Sequence, residues 1–183
     1  MTTLLSIYEI SNSFCLSIIQ ALSIILIKPF GPHIKPEFLN KPIRVYIPNL
    51  DRNLIGTENK NRTIIYQWIN LINGKMYVGS GWNGSRRLLS YFRLSTLKRN
   101  YPIYNSITHY THNNFILVIL EDLGQTGSVD KNFMLSREQF YIDLLFKDYP
   151  LFTLNSSPTA GTNLGFKHTE EFRIRRTGTL NPM

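Results

Sequence analysis

A chain of 183 residues is long enough for one domain with appended segments. Hydrophobic residues make up 43% of it and the formal net charge is +8, which excludes a fully disordered chain and favours an anionic partner, either nucleic acid or a membrane surface. The single cysteine excludes a disulfide framework and any zinc site built from cysteines.

The N-terminal segment, residues 1–30, differs from the rest of the chain. Residues 14–27 read FCLSIIQALSIILI, which is shorter than the roughly 20 apolar residues of a membrane span. No basic stretch precedes them, as a secretory signal would require. We favour a helix that packs on the domain or is left from an upstream fused segment. A membrane-inserted helix and a targeting peptide stay open as alternatives.

A proline-rich segment follows at residues 31–61. Five prolines lie between residues 28 and 61, and proline disfavours both helices and central strands. We therefore expect a mostly irregular linker, with one short extended piece at Arg44 to Ile47.

From Thr63 onward the pattern is that of a packed domain. The order of predicted elements is β-β-α-α-β-α, which indicates an α+β domain with a three-stranded sheet flanked by helices. Since the third strand is the only one that is apolar throughout, we expect it in the middle of the sheet. The predicted elements are strands at residues 63–69 and 76–79 around an Asn73-Gly74 turn, helices at 84–92 and 102–110, a strand at 115–120 and a helix at 134–146.

Four side chains of this domain are candidates for chemistry. Tyr66 and Tyr77 lie on the two strands of the hairpin, Arg87 lies on the first helix and Glu138 on the last. Singly, each has an ordinary explanation: strand tyrosines are usually half-buried packing residues, and helical Arg or Glu residues are usually solvated.

In combination these residues resemble the signature of the GIY-YIG nuclease family. The resemblance covers roughly residues 44 to 183 and extends to the intron-encoded homing members. It implies the three-stranded antiparallel GIY-YIG fold and an endonuclease that hydrolyses phosphodiester bonds of double-stranded DNA, with one Mg²⁺ or Mn²⁺ ion and no small-molecule cofactor. The matching segments are Ile65-Tyr66, Tyr77-Val78-Gly79-Ser80, Ser85-Arg86-Arg87-Leu88, residues 114–121, residues 137–143, Asn155 and residues 160–169.

The resemblance implies roles for the hairpin and first-helix residues. Tyr66 would position or deprotonate the attacking water, and Tyr77 would contact the water or the phosphate in the same pocket. Arg87 would stabilise the charge on phosphorus through its planar donor fork. As a base, Tyr66 would need a pKa lowered from about 10 by a nearby cation, either the metal or Arg87.

The remaining matched positions have supporting roles. Glu138 would be the sole protein ligand of the cation, with water and phosphate oxygens completing its coordination. Asn155 would orient or support the site, and Gly79 would allow close packing where a side chain would intrude. Ile64 departs from the pattern, because the family has glycine there, and we expect tolerance with some loss of activity.

Basic residues near the motifs are the predicted DNA contacts. We expect a catalytic domain at residues 62–168 and a truncated basic tail at residues 169–183, which resembles the start of a DNA-binding module. Homing relatives are commonly encoded by introns of mitochondrial genomes, which implies a mitochondrial location. The alternative is a catalytically decayed DNA-binding module of the same fold. The predicted contacts are Arg86, Arg93, Lys98, Arg99, Lys167, Arg173, Arg175 and Arg176.

Overall fold

The structure, a computed structural model, describes residues 33–161. The hydrophobic N-terminal segment lies outside the described residues, and so do four of the predicted DNA contacts, Lys167, Arg173, Arg175 and Arg176. Within residues 33–161, no helix combines the length and the apolar character needed to cross a membrane.

The described residues form a mixed α+β fold, and this part of the fold prediction is confirmed. A single antiparallel sheet carries helices on both faces. In chain order the elements are β1 (Arg44–Tyr46), α1 (Arg52–Glu58), β2 (Arg62–Asn70), β3 (Met76–Gly81), α2 (Gly84–Leu89), a 3-10 turn (Ser90–Phe92), α3 (Leu94–Leu97), α4 (Pro102–Tyr110), a 3-10 turn (His112–Asn114), β4 (Phe115–Gln125), α5 (Lys131–Asp148) and a 3-10 turn (Pro150–Phe152).

The sheet has four strands rather than the expected three, in the order β1-β4-β2-β3. The hairpin of β2 and β3 forms as predicted, with Tyr66 paired to Gly79. Among the three predicted strands β2 rather than β4 lies in the middle, but β4 is also an interior strand of the sheet, because β1 pairs with its other edge. The central position of β2 was not predicted because the strand contains the polar residues Gln67 and Asn70. Both are fully buried, and their side-chain amides donate to Glu37 O and Ser106 Oγ, respectively.

The segment expected to be an irregular linker carries β1 and α1. Strand β1 pairs with the outer edge of β4, and Ile55 of α1 is completely buried. Pro42 and Pro48 lie just outside β1, so proline delimits the strand instead of preventing it. The short extended piece expected from Arg44 is therefore an edge strand of the sheet.

The two faces of the sheet pack against different helices. Side chains alternate along a strand, so Tyr66 and its partner Gly79 lie on one face, where Leu88 and Tyr91 complete the main core. Ser80 lies on the other face and contacts Glu138 of α5. Strand β3 is an edge strand of the sheet, so side chains from both faces can meet beside it.

Candidate active site

A cavity of about 250 Å³ lies beside the edge strand β3. Helix α5 packs on the opposite face of the sheet from the Tyr66 ring, but its Glu138 reaches the cavity around the edge strand. Predicted site residues from separate elements therefore share one cavity. Its polar lining includes Tyr77, Arg87, Arg99, Tyr104, Glu138 and Asn155.

The Arg87 guanidinium is enclosed by phenol groups. Its Nη2 donates to Tyr91 Oη at 2.9 Å and to Tyr77 Oη at 3.4 Å, and its Nη1 donates to Tyr104 Oη at 3.3 Å. The guanidinium carbon also lies 4.8 Å from the centroid of the Tyr91 ring. Among residues 33–161, no carboxylate lies within ion-pair distance of Arg87. The arginine is thus held in place by neutral groups.

Tyr66 does not line the cavity. Its side chain is fully buried, and its hydroxyl is hydrogen-bonded to that of Tyr91 at 2.9 Å. The Tyr66 and Tyr77 rings lie on the same face with their centroids 6.4 Å apart. A Cβ at Gly79 would lie 2.6 Å from Tyr66 Oη, so the absence of a side chain at Gly79 makes room for this phenol.

The pKa of Tyr66 is raised, whereas a role as the base would need it lowered. Burial raises it well above the ordinary phenol value, and the nearby Arg87 charge lowers it only in part. Burial also raises the pKa of Tyr77 and of Tyr91. Arg87 therefore acts in the expected direction but does not by itself bring the pKa of Tyr66 below the ordinary phenol value, and the phenols of Tyr66, Tyr77 and Tyr91 are protonated at neutral pH.

Glu138 is a buried carboxylate in the first half of α5, 9% exposed. Its Oε2 accepts a hydrogen bond from Ser80 Oγ at 2.8 Å. Burial raises the pKa of Glu138, while Ser80 and Arg87 act to lower it. In the described part of the chain no basic side chain forms an ion pair with it. Such a carboxylate favours a cation in the cavity.

Asn155 acts on the backbone of the edge strand. Its Oδ1 accepts from Val78 N at 2.9 Å and its Nδ2 donates to Val78 O at 2.8 Å. The side-chain amide thus replaces a neighbouring strand at one residue of β3, directly before Gly79. This contact supports the position of the cavity wall.

Over 117 residues the chain is 30% identical to "Probable intron-encoded endonuclease 1" of Neurospora crassa. The chain is similar to an intron-encoded endonuclease. The match covers 63% of this chain but only 37% of that relative's length. No protein-family model matches.

One solved structure is similar to part of the chain, the catalytic domain of intron endonuclease I-TevI. The match has 24% identity and a TM-score of 0.43, and it covers 54% of this chain and 97% of that domain.

The predicted DNA contacts within the described residues are all exposed. Arg86 lies on α2, Arg93 and Lys98 flank α3, and Arg99 follows α3. Only Arg99 lines the cavity.

Two residues of the site were not found from the sequence. Tyr91 connects Arg87 to Tyr66, and Tyr104 receives the second hydrogen bond from the guanidinium. The spacing of Tyr91 carried a signal, because residues four apart share one face of a helical segment. For Tyr104 the sequence offers no comparable signal, since α4 meets Arg87 only through the tertiary fold.

Ile64, which stands where the family signature has glycine, is fully buried in the main core. A Cβ at Gly84 would lie 2.9 Å from Ile64 Cδ1, so the glycine on α2 provides the space that this larger side chain needs. Ile64 therefore packs against α2 and is not part of the cavity lining.

Proposed function

We propose that the chain is a GIY-YIG endonuclease of the intron-homing type that hydrolyses DNA phosphodiester bonds with the help of a divalent cation. The observation that carries the proposal is the convergence of Tyr77, Arg87 and Glu138 on one cavity. The order of the sequence motifs and the similarity to an intron-encoded endonuclease support it. The boundaries at residues 62 and 168 and the mitochondrial location are parts of the proposal.

Arg87 would bind the non-bridging oxygens of the scissile phosphate. Its donors contact neutral phenol oxygens, so the guanidinium keeps its full charge for the phosphate. As charge accumulates on phosphorus in the transition state, this preorganised cation stabilises it more than it stabilises the ground state.

The two signature tyrosines would have different tasks. Tyr77 lines the cavity, so its hydroxyl can orient the attacking water or a phosphate oxygen. Tyr66 is fully buried and has a raised pKa, so it would position Tyr91 and, through it, Arg87. We accordingly assign Tyr66 a positioning role.

A divalent cation fits the donor set at Glu138. The carboxylate is buried, faces the cavity and lacks an ion-pair partner among residues 33–161. Glu138 would hold one Mg²⁺ or Mn²⁺ ion, with water and phosphate as the other ligands. When bound, the ion would stabilise the negative charge on the leaving 3′ oxygen.

Nicking of supercoiled plasmid DNA by saturating protein, with Mg²⁺ or Mn²⁺, tests the proposal. Arg87→Ala should reduce the rate by about 10²–10³-fold, and Glu138→Gln should abolish metal-dependent cutting. Lys147→Ala and Asp148→Asn, which change exposed side chains of opposite charge on α5, are the matched controls and should retain cutting.

The alternative is a catalytically decayed DNA-binding module, which Ile64 in the place of the signature glycine favours. Retention on DNA without any metal-dependent product would support this alternative. Cutting by a folded Glu138→Gln at the wild-type rate would remove the metal assignment and leave the nuclease proposal without its cation site.

A further inference from the structure

A second concave surface lies on the other side of α2 from the cavity. It is an open groove of about 600 Å³ between α1 and α2, and its polar lining includes Arg52, Arg93, Thr57 and Ser85. Gly56 and Leu89 also line it. No acidic side chain lines this groove.

The two arginines are available to an anion. Both side chains are exposed, and neither has an ion-pair partner among residues 33–161. The Arg52 guanidinium lies 5.1 Å from the centroid of the Phe92 ring, and that ring stacks on His112 at 4.4 Å. This contact restricts Arg52 without neutralising it.

We propose that this groove binds a backbone phosphate of duplex DNA, separate from the phosphate in the cavity. Arginine forks and a serine hydroxyl are the donors that phosphate oxygens accept from. The inference rests on the proposed function for its choice of DNA as the ligand. It assigns Arg52, which the sequence motifs do not include, to DNA binding.

The position of the groove relative to the cavity agrees with this assignment. Ser85 and Leu89 are four residues apart and share one side of α2, whereas Arg87 lies between them and faces the cavity. A helix with its side chains is about 10–12 Å across. A phosphate in the groove would therefore be separated from one in the cavity by about the width of this helix.

The salt dependence of duplex binding by the full chain tests the proposal. A fluorescein-labelled duplex is titrated in EDTA, so that no cutting occurs, and the logarithm of the association constant is plotted against the logarithm of the salt concentration. Arg52→Ala should weaken binding and reduce the slope by about 0.9, the contribution of one phosphate contact. Arg52→Lys should restore most of the slope, and Lys147→Ala, an exposed charge on α5, should leave it unchanged.

An Arg52→Ala slope equal to that of the wild type and of Lys147→Ala would overturn the inference. So would a loss of binding to phosphatidylserine vesicles without an effect on DNA, since the groove would then serve a membrane surface. If Arg52→Ala reduces the salt slope but the wild-type chain nicks no plasmid, the proposed nuclease function is contradicted, while the proposal that the groove binds phosphate is supported.

Discussion

Gly79→Ala is the substitution whose effect follows most directly from the structure. The new Cβ would lie 2.6 Å from Tyr66 Oη, 2.8 Å from Tyr66 Cζ and 2.9 Å from Tyr77 Cε1. Tyr66 is fully buried and hydrogen-bonded to Tyr91, so its ring has little room to move. Overpacking of a core costs about 1–3 kcal/mol, and a displaced hydrogen bond adds about 1 kcal/mol. We expect the free energy of unfolding to fall by about 2–4 kcal/mol.

Urea unfolding of the variant and the wild type measures this loss as a lower midpoint at unchanged slope. Gly56→Ala is the control, because its Cβ would make only ordinary contacts, with Leu89 Cδ1 at 3.4 Å and with Leu89 Cδ2 and Ser85 Oγ at 4.0 Å. That change should stabilise α1 by up to about 1 kcal/mol. Nicking by folded Gly79→Ala should also decrease, since both phenol rings must shift. An unfolding midpoint for Gly79→Ala equal to that of the wild type would refute the reasoning about Tyr66.

Two further predictions concern the hydrogen bonds of the site. Tyr91→Phe removes the hydroxyl that joins Arg87 to Tyr66, so it should lower the free energy of unfolding by about 1–3 kcal/mol and slow nicking. The control Tyr110→Phe should do neither. Equal urea midpoints for the two variants would contradict this prediction. Glu138→Gln should make the protein more stable at neutral pH while abolishing nicking. Because burial raises the pKa of Glu138, its ionised form destabilises the fold above that pKa, and the penalty is lost as the pH falls through it. The stability gain should therefore shrink in urea unfolding at lower pH, and a gain that is absent at neutral pH would contradict the assignment of a buried, unpaired carboxylate.

The elements with local signals were predictable from the sequence. The Asn73-Gly74 turn identified the hairpin, and Gly74 has the positive φ that such turns need. Pro102 marked the first turn of α4, whose bounds agree with the predicted helix. The order of the motifs predicted that Tyr77, Arg87 and Glu138 belong to one site. In the structure all three side chains line the same cavity.

The features that were missed depend on contacts between distant segments. Helix α1 buries Ile55 but has few apolar residues of its own, so periodicity did not reveal it. Strand β2 contains Gln67 and Asn70, whose burial is possible only because Glu37 and Ser106 lie beside them in the fold. The sequence pattern therefore understated how central β2 is.

The groups around Arg87 leave the charge of this half-buried arginine unpaired by any carboxylate among residues 33–161. A carboxylate partner would have satisfied the guanidinium and cancelled most of its charge. Tyr77, Tyr91 and Tyr104 instead accept its hydrogen bonds as neutral groups, and burial keeps the pKa of Tyr77 and Tyr91 above the ordinary phenol value. Glu138, the carboxylate that shares the cavity, is hydrogen-bonded to Ser80 on the other face of the sheet. The fold thus holds a guanidinium and a carboxyl group apart in the same cavity, and under the proposed function a phosphate would bind the first and a metal ion the second.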